Sequence, residues 1–495
     1  MISATQIYDA VQCPHRVLLD ATGDPLLRDE PNPFIELLWK QGVTHEQNII
    51  TGLHISVDLH DVPVADRERE TRAAMAAKLP LIYRGRLTVG DKVGEPDLLE
   101  FSAGAYVPGD IKSGTGLEGG EDNEGALKKH YAFQLAHYEA ILEESGWANG
   151  VREPFIIDRT AARVPYNLMG PQGVRKQQPW WDAYQQTYQQ VKGLLDGTVA
   201  SRPALGATCK LCHWYSFCKK SVVEADDLTM VAELGRSRRD VMVADIPTVH
   251  ALAACDPESY LNGKKTVFPG IGPDSLRKFQ ARALLLTTPN AQPYLKEPVD
   301  LPIAEKEVYF DIEADPMRDV VYLHGFVERL FGRPETARFV PFFAAGISLE
   351  EESGVFREAW NYLQARLADS TIYYYSKYER TAYKKLAEKC AGVCAVGDVE
   401  EVFALPAMVD LYTDVVKKCT EWPCYDQSIK TLAQFLGFRW RDTHPSGAAS
   451  IEWYNRWIES GDPAIRQRIL DYNEDDCRAT GVVVDGVRTL SPRIQ

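Results

Sequence analysis

The spacing of apolar residues divides this chain into three stretches. In the first, FIELLWKQGVTHEQNII has apolar residues at roughly helical spacing, and three apolar runs, LIYRGRLTV, EPDLLEF and YVPGDIKSG, read as strands. A helix around LKKHYAFQLAHYEAIL follows. Residues 223–298 are mostly helical in pattern and contain PGIGPDSLRKFQARALLL. From about residue 300 the chain restarts with EVYFDIEA, an apolar strand entering two acids, and runs through LHGFV, RFVPFFA and TIYYYS into helices ending near Thr489. The pattern predicts two α/β domains, residues 1–222 and 299–495, around a helical segment at 223–298. The Pro-rich TTPNAQPYLKEPVDLP reads as the linker into the last domain.

The chain's 495 residues are 45% hydrophobic, enough for well-buried cores. No apolar run approaches the roughly 18 residues of a membrane span, and MISATQIYDAVQCPHR lacks a signal-peptide core, so a cytoplasmic protein without membrane contact is expected. Ten cysteines are too few for a disulfide scaffold of this size, and in a reducing compartment a cysteine cluster reads as metal binding. Cys13 stands alone, whereas Cys209, Cys212 and Cys218 form C-x2-C-x5-C. Four thiolates can close around one iron-sulfur cluster or one zinc. The net charge of −15 excludes a wholly basic nucleic-acid coat but allows a local basic groove, because acids gathered at metal sites add to the negative total.

Asp110 and Lys112 are two apart on a predicted strand and share one face, and Asp97 lies thirteen residues upstream. Two carboxylates can hold Mg²⁺ or Mn²⁺ against a phosphodiester, with the lysine orienting the attacking water. His45 and Glu46 offer a further ligand, and Gln134 and Tyr138, four apart on a helix, can support Lys112 or contact substrate. Each signal alone is also what a solvated surface would show. Taken in order, His45, Asp97, Asp110-x-Lys112, Gln134-x3-Tyr138 and the four cysteines resemble the RecB-like branch of the PD-(D/E)xK nucleases, over about 220 residues. The likeness is to its iron-sulfur members, related to the CRISPR-adaptation and AddB-type nucleases. That resemblance implies a restriction-endonuclease-like fold and a [4Fe-4S] cluster on Cys13, Cys209, Cys212 and Cys218. The thiolates alone permit zinc equally. Cys255, Cys390, Cys394, Cys419, Cys424 and Cys477 read as packed side chains.

Asp311 and Glu313 alternate on one strand, while Tyr472 and Asp476 are four apart on a helix. Two such pairs suit a two-metal site in which Tyr472 orients water. The D-x-E and Y-x3-D pattern resembles the DEDD exonucleases of the ribonuclease H-like fold, tyrosine subtype, closest to the YprB-type branch, echoed in YYYSKYERTAYKKL, MVDLYTDVV and SIKTLAQFLGF. At its second motif the family usually has aspartate, and here Glu379 stands in the matching stretch, its extra methylene moving the carboxylate by about one C–C bond. Asp410 reads as structural, and Glu474 and Asp475 as solvated.

VFPGIGPDSLRKFQARA suggests a helix-hairpin-helix whose Gly270 and Gly272 admit a phosphate, with Arg277 and Lys278 adding charge, although an ordinary turn between helices has the same signature. Other basic spots, Arg236, Arg238 and Arg239 among them, read as solvated faces. The order of units resembles putative RecB-like nucleases often followed by a helicase. No G-x4-GK-[ST] phosphate loop occurs, so a helicase would be a separate partner. The expectation is a metal-dependent, exonucleolytic nuclease acting on DNA, with RNA left open as substrate. Its competitor is a catalytically silent nucleic-acid-binding or scaffold protein retaining both folds.

Overall fold

The computed structural model describes residues 1–118, 125–172 and 177–492, which form two compact units, residues 1–203 with 207–218 and residues 204–206 with 219–495. No helix among them is long and apolar enough to cross a membrane.

The first unit opens with α1 (Ala4–Gln12), started by a capping box in which Ser3 and Gln6 satisfy each other's backbone N–H groups. It continues through α2 (Pro14–Thr22) and α3 (Pro33–Thr51). A six-stranded sheet follows chain order: β1 (Val57–Asp58), β2 (Leu81–Tyr83), β3 (Leu98–Ser102), β4 (Ala105–Ile111), β5 (Phe155–Ile157) and β6 (Arg163–Pro165). The β3–β4 pair is antiparallel and sets Leu98 opposite Gly109, which brings Asp97 beside Asp110. LIYRGRLTV is not one strand. It breaks after Tyr83, where Arg84 takes φ +58°, and a second strand begins at Leu87. Helix α4 (Lys129–Glu144) is buried at every position from Tyr131 to Leu142, as its scarcity of charge in that stretch demands. It shares an apolar core with α1 and α5 (Trp180–Leu195). Helix α6 (Tyr215–Glu224) carries Cys218.

In the second unit a five-stranded sheet has the order β9-β8-β7-β10-β11, from β7 (Lys306–Asp315), β8 (Val320–Leu330), β9 (Arg338–Phe343), β10 (Ser370–Tyr374) and β11 (Met408–Asp410). The first three are antiparallel neighbours, and β10 and β11 add on in parallel. Alternation along β7 sorts its side chains between two cores. Val308, Phe310 and Ile312 pack with Phe356 and Trp360 of the helix Leu349–Arg366 and with Tyr383 of the helix Tyr378–Lys389, here α8 and α9, with α7 being Pro273–Thr287 of the preceding segment. Tyr309 faces the other core, which includes Val483 and Val484 from the long helix Pro463–Arg488. Asp311 and Glu313 follow Tyr309 at steps of two, so the same alternation aims both acids at that helix.

The 223–298 segment has its own apolar core, with Val249, Leu252 and Phe279. It joins the last domain in one unit through the pairing of Tyr294–Leu295 with Thr420–Glu421 and a buried Arg282 Nε to Glu421 bond of 2.8 Å. Its helices are not a bare hairpin. A two-stranded hairpin, Leu261–Asn262 with Lys265–Thr266, separates Val249–Ala254 from Pro273–Thr287. Arg277 is paired with Glu258 and Asp274, and Lys278 with Glu233, so local acids neutralise the charges expected to meet phosphate. Arg239 is buried on Asp227 at 2.6 Å rather than solvated.

Candidate functional site

Two acidic clusters form, one in each unit. In the first, Asp97 Oδ2 accepts from the Ile111 N–H at 2.8 Å and the Asp97 N–H lies 3.3 Å from Asp110 Oδ1, so adjacent strand ends fix both acids. Lys112 Nζ stands 2.7 Å from Asp110 Oδ2 and donates to Gln134 Oε1 at 2.9 Å. Gln134 Nε2 donates to the Tyr138 hydroxyl, which donates to the Glu95 carbonyl. The sequence-expected quartet Asp110, Lys112, Gln134 and Tyr138 is thus one connected chain. Burial first, then Asp110, pushes Asp97 up to about 8. Burial opposes the charge on Lys112, but Asp110 and Asp97 outweigh it and hold the ammonium above its usual value.

Arg84 joins this cluster without any signal in the local pattern. Its guanidinium reaches Glu46 at 2.6 Å and Asp97 at 3.4 Å, and Tyr83 donates to Glu46 at 2.8 Å. His45 does not join this network. Its Nε2 is buried without a hydrogen-bond partner, an atom that a metal ion would satisfy.

Around the cysteines, Cys13 lies between α1 and α2. Asp20 of α2 accepts from Trp214 Nε1 at 2.9 Å and pairs with His213 at 2.6 Å, and the Ser216 N–H donates to Asp29. These bonds tie the Cys13 helices to the later trio. Burial raises the Cys212 thiol, and Cys13 and Cys209 are near enough to raise it further. No three of these sulfurs lie within 4.8 Å of one another among the described residues, whereas thiolates about 2.3 Å from one zinc would stand roughly 3.8 Å apart. Cys390 ends α9 rather than lying within it, and Cys390, Cys419 and Cys477 are buried.

In the second cluster, ligand oxygens of Asp311, Glu313 and Asp476 lie within 4.8 Å of one another, the one such group of three among the described residues. Asp476 and Tyr472 come from the Pro463–Arg488 helix, started by an Asp462 cap and Pro463 at its first position. Asn473 of the same helix donates to Asp311 Oδ2 at 2.6 Å. It fits only because residue 325, opposite Asp311, is glycine: a Cβ there would sit 1.6 Å from Asn473 Oδ1. Trp440 Nε1 donates to Asp476 Oδ1 at 2.7 Å, and Tyr322, bonded to Ser450, lies 3.4 Å from Glu313. Lys430 donates to the Tyr472 hydroxyl at 2.6 Å.

Glu379 opens α9 just beyond Ser376, whose φ of +107° is rare for a residue with a side chain and re-aims the chain out of β10. It is buried, and its Oε2 has no hydrogen-bond partner. Burial raises Glu379 to about 8. Glu313 reaches about 8 through burial and then Asp476. Asp311 is lifted well above its ordinary value by burial, Asp476, Glu313 and Glu379. A crowded carboxylate group with one orphaned oxygen suits Mg²⁺ or Mn²⁺, which take oxygen ligands. Asp410 is structural, capping the turn after β11 through Thr413. Asp475 is not solvated: it is buried and bonded to the Arg441 backbone and side chain, and Arg441 also pairs with Glu474.

A family model described as the RNase_H superfamily matches residues 308–487. The C-terminal domain is ribonuclease H-like, and such domains are typically metal-dependent nucleases acting on nucleic acid. No curated protein matches the chain.

Proposed function

We propose that this chain is a metal-dependent nuclease that hydrolyses phosphodiester bonds of DNA, with 3′ to 5′ exonucleolytic trimming at the second cluster. The observation that carries this reading is the convergence of half-buried Asp311 with buried Glu313 and Asp476 within 4.8 Å, beside the orphaned Glu379. Asp311, Glu313 and Asp476 would hold the divalent ion, with Glu379 near them. A bound Mg²⁺ or Mn²⁺ supplies an activated water and stabilises charge on the leaving oxygen. Tyr472 orients the attacking water. Asn473 and Trp440 fix the carboxylates, and outer partners of this kind are worth 10- to 100-fold in metal affinity or activity.

The first unit is read as a RecB-like PD-(D/E)xK centre, with Asp97, Asp110 and His45 as metal ligands and Lys112 at the water. Its four cysteines hold a [4Fe-4S] cluster that pins the Cys209–Cys218 segment to α1 and α2. The binding partner is nucleic acid, with any helicase supplied by another chain.

The second reading, a silent nucleic-acid-binding protein, draws support at the first cluster from Arg84, which already neutralises Glu46 and Asp97. Cleavage of labelled single- and double-stranded DNA and RNA in Mg²⁺ or Mn²⁺ separates the two. We expect wild type to cut DNA, and Asp110→Ala combined with Asp311→Ala to abolish cutting. Equal inertness of both proteins on every substrate would establish the silent reading.

A further inference from the structure

The second cluster contains a cation that its hydrolytic reading leaves without a task. Lys430 lies in the helix Ile429–Phe435, which Ser428 caps by accepting from the Thr431 N–H. Its Nζ is 2.6 Å from the Tyr472 hydroxyl and 4.7 Å from the centre of that ring. Asp311, Glu313 and Asp476 are near enough to feel its charge, yet none of them pairs with it. It bonds the phenol instead.

That choice has a chemical consequence. An ammonium only donates, so the Tyr472 oxygen must accept from it. The phenol has one proton, and a rotor whose oxygen already accepts from Lys430 turns that proton away from the lysine. The proton then points to Asp476, the carboxylate hydrogen-bonded to the hydroxyl. Without Lys430 the rotor is free to take either orientation.

We propose that Lys430 is a positioning residue for hydrolysis at this cluster: it fixes the direction in which Tyr472 presents its proton. The inference rests on the hydrolytic reading above. A lysine that merely packs on an aromatic ring would leave turnover untouched, and one that grips the substrate's phosphates would change KM rather than kcat.

The test is a double-mutant cycle in the full chain, with Asp110→Asn as background so that only the second cluster reports. Lys430→Met, Lys430→Arg, Tyr472→Phe and the Met/Phe double variant are assayed with Mn²⁺ on a 5′-labelled single-stranded oligonucleotide. Lys430→Met is expected to lower kcat roughly tenfold or more with KM held within about twofold, and Lys430→Arg to restore most of it. On the Tyr472→Phe background, Lys430→Met should change kcat by less than about twofold, because the group it positions is gone. Effects that multiply independently, or a change confined to KM, overturn the inference while the hydrolytic reading stands. If Lys430→Met does not melt cooperatively, Lys430→Gln takes its place in the same cycle. A background protein that cuts nothing, with Asp311→Asn no different, overturns the hydrolytic reading and this inference with it.

Discussion

The two acidic clusters solve the problem of burying carboxylates in opposite ways. In the first, Asp97, Asp110 and Glu46 meet the cations Lys112 and Arg84, and each acid has a charged partner. In the second, Asp311, Glu313, Glu379 and Asp476 have no ion pair among the described residues, and the nearby Lys430 is turned to a phenol. A buried charge without a counter-ion is costly, whereas a paired one is tolerable without outside help. The first cluster therefore holds together on its own, and a metal ion must displace Arg84 to bind there. The second is incomplete until a cation arrives, so it is the better prepared of the two for a divalent ion.

The largest expected effect tests that ranking directly. Asp311→Asn should remove the tighter Mn²⁺ site in calorimetric titration and lower exonucleolytic cleavage by roughly 10³-fold, the equivalent of several kcal/mol of charge stabilisation. Asp110→Asn should leave the tighter site intact. If Asp110→Asn removes the tighter binding instead, the ranking is reversed.

Next comes stability against pH. Asp97, Glu313 and Glu379 are raised to about 8, and Asp311 is raised well above its ordinary value, against roughly 4 in an unfolded chain. Between those values the native state binds more protons than the unfolded state, so stability falls as pH rises from about 4 to about 8. Urea unfolding in EDTA should show the midpoint dropping across this window, and saturating Mn²⁺ should restore it at pH 8 by binding the native state alone. Glu313→Gln should flatten the fall. A midpoint that rises towards pH 8 in EDTA would mean that these carboxylates are compensated in a way the geometry does not show.

What was legible in the sequence follows the same division. Residues two apart on a strand or four apart on a helix share a face, so Asp110 with Lys112, Asp311 with Glu313, and Tyr472 with Asp476 could be paired before any fold was known. The sheet of the last domain was likewise foreshadowed by its apolar runs. Other partners from separate elements were not legible. Arg84 reaches Asp97 only because LIYRGRLTV breaks at a left-handed residue, and an unbroken strand was the natural reading of that run. Lys430 and Trp440 come from the stretch just before the last two helices, and nothing local marks them as neighbours of Asp476. Asn473 adjoins Tyr472, yet its role depends on Gly325 across the sheet. Asp475 looked solvated because Asp476 claimed the inward register, but Arg441 covers it.

Arg84→Met sharpens the comparison from the other side. Removing the internal cation should tighten Mn²⁺ at the first cluster by about tenfold, since one competing ion pair near the surface is worth about 1 kcal/mol or slightly more. Binding at the second cluster should not change. Equal affinity in Arg84→Met and wild type would show that Arg84 does not stand in the metal's way.

The smallest effect concerns how firmly the second cluster is held. Trp440 is the indole donor on Asp476 Oδ1, at 2.7 Å, and it is buried. Trp440→Phe keeps most of the apolar contact but leaves that oxygen without its donor. Two consequences follow, and they pull in the same direction for metal-free protein and opposite directions for the loaded site. Without metal, an acid that has lost a hydrogen bond to its charged form becomes harder to ionise, so Asp476 should titrate still higher and the fall in stability should continue to higher pH. With metal, the freed oxygen has the ion as its partner, and the loss is confined to orientation, at the low end of the 10- to 100-fold range for outer-shell partners. Mn²⁺ affinity at pH 8 should therefore weaken by roughly tenfold in Trp440→Phe. The matching change at the first cluster, Gln134→Leu beside Lys112, should leave Mn²⁺ affinity nearly unchanged, because Lys112 keeps its bond to Asp110. Similar losses in both variants would mean that the first cluster depends on its surroundings as much as the second does, and that its own cations do not make it self-sufficient.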